Sequence, residues 1–295
     1  MRTAAARQDR LLADLGATFR PQRHWVEGRG VLLILGHFLS GIGAGTWLFS
    51  LWLGYRPGLV LAVCAMAGAG LAHLFFLGHP ERFWRMLRVR TSWIARGFVG
   101  MNLFMVGAVL TLLLPAGALR SVAAALAVAG AVIVIVYKGN VYAASRGVPF
   151  WNSPLLPVLY AAYAIRGDLA LLLVVLPLSG GLADTRGMEL IELWVAVSAA
   201  VMLAFYLGVM RDTSPAARRS VSELTGGRAA LGFYLGTVGA GLVVPILVGM
   251  AGVVGGGPRL ALAVTGVFSL AGDFFAKYAI AKAGIYVPLM PVGRV

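Results

Sequence analysis

The chain has 295 residues, 60% of them hydrophobic and 12% charged, with a mean hydropathy of +0.86. A water-soluble domain carries about 25% charged residues, so a soluble enzyme, a soluble nucleic-acid binder and a disordered chain are excluded. The formal net charge of +14 would point to nucleic acid in a soluble protein; in so apolar a chain it reads as a record of membrane orientation.

A helix that spans a bilayer needs about 20 mostly apolar residues. In chain order such runs cover residues 31–53, 58–78, 94–114, 119–143, 154–178, 188–210, 229–254 and 260–283. Turn chemistry separates them at Tyr55-Arg56-Pro57-Gly58, Pro115-Ala116-Gly117, Gly180-Gly181 and Gly255-Gly256-Gly257-Pro258. Barrel strands would be about 10 residues of alternating pattern, so the expected fold is an all-α integral membrane protein of eight transmembrane helices. Residues 1–30 form an N-terminal segment without the apolar core of a secretory signal. Helices one to four lie in 31–143, a loop in 144–153, helices five to eight in 154–283, and a tail in 284–295.

Twenty of the 25 Lys and Arg residues fall at the face that carries the termini. Four (Arg56, Arg120, Arg186 and Arg259) fall at the other face, and Arg166 lies inside a span. By the positive-inside rule both termini are expected in the cytoplasm of a cell inner membrane. The single cysteine, Cys64, allows no disulfide framework. It also leaves this chain too few thiolates for an iron–sulfur cluster.

Ionisable groups within spans are costly and mark function or a buried partner. Arg166 and Asp168 sit mid-helix, two positions apart, so each needs a partner elsewhere. Glu189 and Glu192 share one face of helix six and can reach Arg166 if depth allows. Asp273 and Lys277 are spaced to pair locally on helix eight. These six residues form a candidate proton path; structural ion pairs are the plainer alternative for Arg166, Asp168, Glu189 and Glu192 and an equal one for Asp273 and Lys277. His37 on helix one and His73 on helix two fall at similar depth near the basic face, with Tyr137, Lys138 and Asn140 on helix four. The two histidines can ligate a haem iron if they face each other; a hydrogen-bonded histidine is the plainer alternative. A polar layer beneath a basic face suits a ligand whose apolar body stays in lipid while its polar head finds donors and acceptors.

The segments Gly78-His79-Pro80-Glu81-Arg82-Phe83-Trp84-Arg85 and Thr91-Ser92-Trp93-Ile94-Ala95-Arg96-Gly97 resemble the loop signature between helices two and three of the NrfD/PsrC family. Tyr137-Lys138-Gly139 and Gly147-Val148-Pro149-Phe150-Trp151-Asn152-Ser153-Pro154 are similar to that family's block after helix four, and Gly41 to Gly45 to its small-residue stretch. Gly272-Asp273-Phe274-Phe275-Ala276-Lys277 is similar in type, with lysine where arginine is usual. The resemblance implies a membrane anchor of a respiratory oxidoreductase, with eight helices in two four-helix bundles. It implies a bound quinone or menaquinone and no haem or iron–sulfur cluster in this chain. The implied partners are a four-cluster iron–sulfur subunit and a molybdopterin catalytic subunit, with membrane lipid around the chain and no nucleic acid. On that likeness Tyr137 hydrogen-bonds a quinone carbonyl, and His37 assists. Phe76 stands where the family often has an acidic residue, which moves attention to His73. Arg82, Arg85, Arg88, Arg90 and Trp151 are the expected docking residues, and the basic face places the catalytic module on the cytoplasmic side. A secondary transporter, with mid-membrane charges, and a haem-b quinol cytochrome are the competing readings.

Overall fold

A computed structural model describes residues 19–178, 186–255 and 259–287. It is all-helical apart from one isolated bridge between Pro21 and Ile285. The helices are α1 (Gly30–Trp52), α2 (Arg56–Phe76), α3 (Trp93–Leu113), α4 (Ala118–Ala143), α5 (Leu155–Leu178), α6 (Arg186–Thr213), α7 (Pro215–Thr225), α8 (Val244–Gly255) and α9 (Arg259–Ala283). A 3₁₀ segment, Pro80–Met86, follows α2, and a π-helical segment, Gly232–Val243, runs directly into α8. Eight of the resulting stretches are long and apolar enough to cross a membrane, the π segment and α8 together making the seventh. This architecture follows from the lack of water in lipid: every backbone N–H and C=O has to be paired within the span.

Helices adjacent in sequence pack together, α1 on α2 and α3 on α4, and α4 returns to α1. In the second half α5 packs on α6 and α9, and α9 packs on the π segment and α8. The halves meet where α5 lies against α1 and α4, with α9 touching α1. Close approach uses small residues, as expected where lipid offers no hydrophobic drive between helices. A methyl at Gly107 would press into the Ala123–Ala127 backbone of α4, and one at Gly272 into Gly241.

The loop after α6 contains a helix that hydropathy alone does not reveal. Ser214 caps α7, accepting from the Ala217 N–H at 3.2 Å, and Pro215 opens it. Ala216, Ala217, Ser220 and Leu224 face inward while Arg218 and Arg219 stay outside. The strand-like segment after α9 is fixed at the same face. Tyr286 N donates to Arg20 O at 2.9 Å, Gln22 N to Gly284 O at 2.8 Å, and Val287 N to Gly147 O at 2.9 Å. Ser220 Oγ accepts from Ile285 N at 3.1 Å. The first 18 residues and the tail beyond Val287 lie outside the described residues.

Candidate functional site

His37 and His73 do face each other: their ring centroids are 5.5 Å apart, inclined at 52°. His37 is buried at 3% exposure, whereas His73 is only partly buried. His73 Nδ1 lies 2.7 Å from the Ala69 carbonyl. A carbonyl can only accept, so Nδ1 carries the proton in the neutral ring and Nε2 is left with a lone pair. That Nε2 and His37 Nδ1 are both buried without a hydrogen-bond partner. The Tyr137 ring stands 6.2 Å from the His37 ring, edge-on, and Tyr137 interacts with Ser40. Lys138 is buried beside them and donates from Nζ to the His37 carbonyl at 3.2 Å. Asn140 is turned away, its amide bonded to Val136 O at 2.9 Å on its own helix.

Three of these side chains, His73, Tyr137 and Lys138, each occupy a notch left by a glycine on a facing helix. A methyl at Gly36 would collide with the His73 imidazole, one at Gly97 with the Tyr137 ring, and one at Gly41 with Lys138 Nζ. The same device recurs deeper, where Gly45 faces the Asp168 carboxyl and Gly167 the Asp273 carboxyl. Gly36, Gly41 and Gly45 of helix one are slots for polar side chains, whereas Gly43 serves close packing against the α2 backbone.

Below this layer the charged residues form a second cluster. Arg166 Nη1 donates to Asp273 Oδ1 at 2.9 Å, its Nε lies 3.3 Å from Glu192 Oε1, and Nη2 donates to Ser269 Oγ at 2.9 Å. Ser269 donates in turn to Glu192 Oε1 at 2.6 Å. Arg166 Nη2 also donates to the Gly241 carbonyl. That carbonyl lies in the π-helical segment, two residues before its end at Val243. Asp273 therefore pairs with Arg166 across the helices. The local Asp273–Lys277 pair expected from spacing is absent among the ion pairs of the described residues. Lys277 instead lies against aromatic faces, 5.4 Å from the Tyr163 ring and 5.8 Å from that of Phe38. Arg166 and Asp168 point apart, as their spacing requires. Asp168 receives a hydrogen bond from Leu169 N at 2.5 Å and has Oδ2 unpaired. Glu189 and Glu192 line a water-sized cavity of about 20 Å³ together with Thr265.

At the basic face Arg82, Arg88 and Arg90 are exposed, alongside Phe83 and Trp84. Arg96 holds this loop by donating to Val89 O and Arg90 O, both at 3.0 Å. The Arg85 side chain lies outside the described residues. Trp151 departs from expectation: it is 2% exposed and so offers no docking surface. Its indole donates to Ile280 O at 3.0 Å and stacks on Trp25 at 4.9 Å, while Tyr142 packs edge-on against both. Tyr142 also stands 5.8 Å from His37, so an aromatic column joins the histidine pair to the N-terminal segment. Ser40, Tyr142, Tyr163, Gly241 and Ser269 were not singled out by sequence. Neutral groups within apolar helices carry no hydropathy signal of their role.

The profile of the family described as polysulphide reductase, NrfD, matches residues 29–288. A curated relative, Protein NrfD of Escherichia coli strain K12, is 31% identical over 124 residues. That similarity covers 40% of this chain and 38% of the relative, so the chain matches well under half of that protein's length.

Proposed function

Because the chain belongs to the polysulphide reductase NrfD family, we propose that it is the membrane anchor of a respiratory oxidoreductase and exchanges electrons with a membrane quinone at the His37–His73–Tyr137 site. The observation that carries this reading is the pair of buried, unbonded ring nitrogens, His37 Nδ1 and His73 Nε2. Buried polar atoms are nearly always paired, so two facing orphans imply a ligand with polar atoms on its head. A quinone or menaquinone fits, with an apolar body for lipid and two oxygens that can accept or donate.

Oxidising a quinol breaks two O–H bonds and releases two protons and two electrons. His73, whose Nε2 lone pair is left unbonded by the Nδ1–Ala69 bond, accepts the two hydroxyl protons in turn, passing the first on before it takes the second. Tyr137 and His37 orient the head group, and Lys138 fixes the backbone of His37 from behind. The electrons pass to a redox partner, which we take to be a four-cluster iron–sulfur subunit wired to a molybdopterin subunit. The exposed Arg82, Arg88 and Arg90 with Phe83 and Trp84 offer that partner a docking face. Positive-inside asymmetry supports the cytoplasmic side for this module. Asp273, Glu192 and Asp168 each keep one carboxyl oxygen unpaired, which supports proton movement between the quinone layer and the cavity beside Glu189.

The test is quinol oxidation by the assembled, purified complex. His73→Gln is expected to lower turnover by about 10²- to 10⁴-fold, as for loss of a general base. Tyr137→Phe should lower it by about tenfold or less, the worth of one hydrogen bond. Full quinol-linked turnover in His73→Gln and His37→Gln, with the partner subunits still bound, would overturn the assignment. The facing imidazoles also suit haem ligation. A haem absorption band in the wild-type chain, lost in both variants, would replace the quinone reading.

A further inference from the structure

The hydroxyls of Ser40, Thr111 and Thr265 each donate to the carbonyl four residues back, at 2.7, 2.7 and 2.8 Å. That bond is the usual outlet for a hydroxyl inside an apolar helix. Thr46 and Ser50, near the end of α1, do not use it. Thr46 Oγ1 and Ser50 Oγ are buried without a hydrogen-bond partner, and so is the indole Nε1 of Trp47. All three residues have 0% exposure. Spacings of three and four residues put Ser50 beside both Trp47 and Thr46 on one face of the helix.

A fourth unpaired atom reaches the same stretch from α5. A methyl at Gly45, next to Thr46, would land on the Asp168 carboxyl and meet Oδ2 first, the oxygen that lacks a partner. At the other end, a methyl at Gly58 would strike Ser50 Oγ and the Tyr55 ring. Gly58 lies in the first turn of α2. The link before it, with Gly54 and Arg56 exposed, is at the face opposite the basic loops. The unpaired atoms thus run from Ser50, close to that face, inward to Asp168.

We propose that Thr46, Trp47, Ser50 and Asp168 bind a short file of ordered water, which hydrates the Asp168 carboxyl from the face opposite the basic one. Buried polar groups are nearly always paired, and a buried water makes about three hydrogen bonds to groups that would otherwise go without. The mix of groups selects water over an ion. The indole N–H can only donate, a carboxylate can only accept, and the hydroxyls do both. An anion would face Asp168 and a cation would face the indole N–H, whereas water turns to suit each. Asp168 thereby meets solvent from one side of the membrane, while Arg166, two residues away, is turned into its ion pairs with Asp273 and Glu192. The file is distinct from the cavity beside Glu189, whose lining comes mainly from α6, α8 and α9. It does not depend on the quinone reading.

The experiment is X-ray hydroxyl-radical footprinting of the full-length chain in lipid nanodiscs, with oxidation at each tryptophan read by mass spectrometry. Radicals formed from a bound water mark the side chains beside it, so a buried residue is labelled where water is ordered. Trp151 is the internal control: it is 2% exposed, but its indole is bonded to Ile280 O at 3.0 Å. Trp47 should be oxidised several-fold faster than Trp151. Thr46→Val with Ser50→Ala, which removes both hydroxyls and keeps most of the packing, should bring Trp47 down to the Trp151 rate. Gly58→Ala, which closes the outer end and keeps every polar group, should slow it as well. Asp168→Leu, which puts an apolar group of similar size at the inner end, should also slow it. Equal oxidation of Trp47 and Trp151 in wild type, or an unchanged Trp47 rate in any of the three variants, would overturn the proposal. The wild-type comparison needs no substitution, so it decides the matter even where a variant fails to fold.

Discussion

Arg166 donates to the carbonyl of Gly241, in the π-helical segment that leads into α8. The guanidinium thus ties that segment to α5 while pairing with Asp273 and Glu192. Replacing Arg166 by Met would strand two buried carboxyls together. The expected cost is about 3–5 kcal/mol, as for removing one partner of a buried ion pair. Reversible unfolding of the purified chain measures it, and a change below about 1 kcal/mol would contradict the network drawn here. Arg166→Lys should rescue little, since one ammonium cannot reproduce a fork aimed at three helices.

The glycine notches make a second prediction with its own control. Gly36→Ala and Gly97→Ala should push the His73 and Tyr137 rings out of place. Overpacking of this kind costs about 1–3 kcal/mol, which read as quinol turnover is a drop of roughly ten- to a hundredfold. Gly70→Ala, on the same helix as His73 but with nothing within 4 Å of a new methyl, should leave turnover unchanged. Equal effects at all three positions would mean that the notches do not position these rings.

Trp151 supplies a third. Trp151→Phe removes the donor to Ile280 O and should destabilise the chain by about 0.5–1.5 kcal/mol. Trp151→Ala empties a buried site and should cost about 3–5 kcal/mol. Neither should weaken partner docking in chains that remain folded, because the side chain is buried. Arg82→Glu with Arg88→Glu should weaken docking and leave stability unchanged; pull-down of the partner subunits separates the two effects.

A pH effect is expected at the end of α7. Burial would raise the Glu223 carboxyl, but hydrogen bonds from Arg228 and the charges of Arg228 and Arg219 outweigh it, so the group lies below its usual 4.5. A carboxyl lowered on folding contributes stability above its unfolded value, and that contribution is lost as pH falls through the lower folded value. The acid arm of the unfolding curve should therefore flatten below about pH 4.5 in Glu223→Gln relative to wild type. Parallel acid arms would show that the carboxyl is not coupled to folding.

Run length was enough to find all eight spans, because lipid demands helices of one narrow length. Depth was also legible, and it placed His37 and His73 in one layer. Azimuth was not. Arg166 takes partners 26, 103 and 107 positions away, and no helical spacing encodes which face a distant helix presents. The Asp273–Lys277 expectation failed for that reason: a local pair was available, but a better one came from α5. Trp151 misled because a tryptophan between two spans looks interfacial. What covers it is Trp25, from a segment with no apolar run to mark it. The π segment was invisible too, since hydropathy is the same whichever carbonyl an N–H selects.

The short pairing of Pro21 with Ile285 bears on biogenesis. Residues 20–22 are among the first of the described chain to leave the ribosome, and residues 284–287, which hold them, are the last. The latch cannot shut until the final span has been threaded into the bilayer. A chain that stops before residue 284 offers residues 20–22 none of these bonds, so this contact between the two ends forms only after α9 has been made.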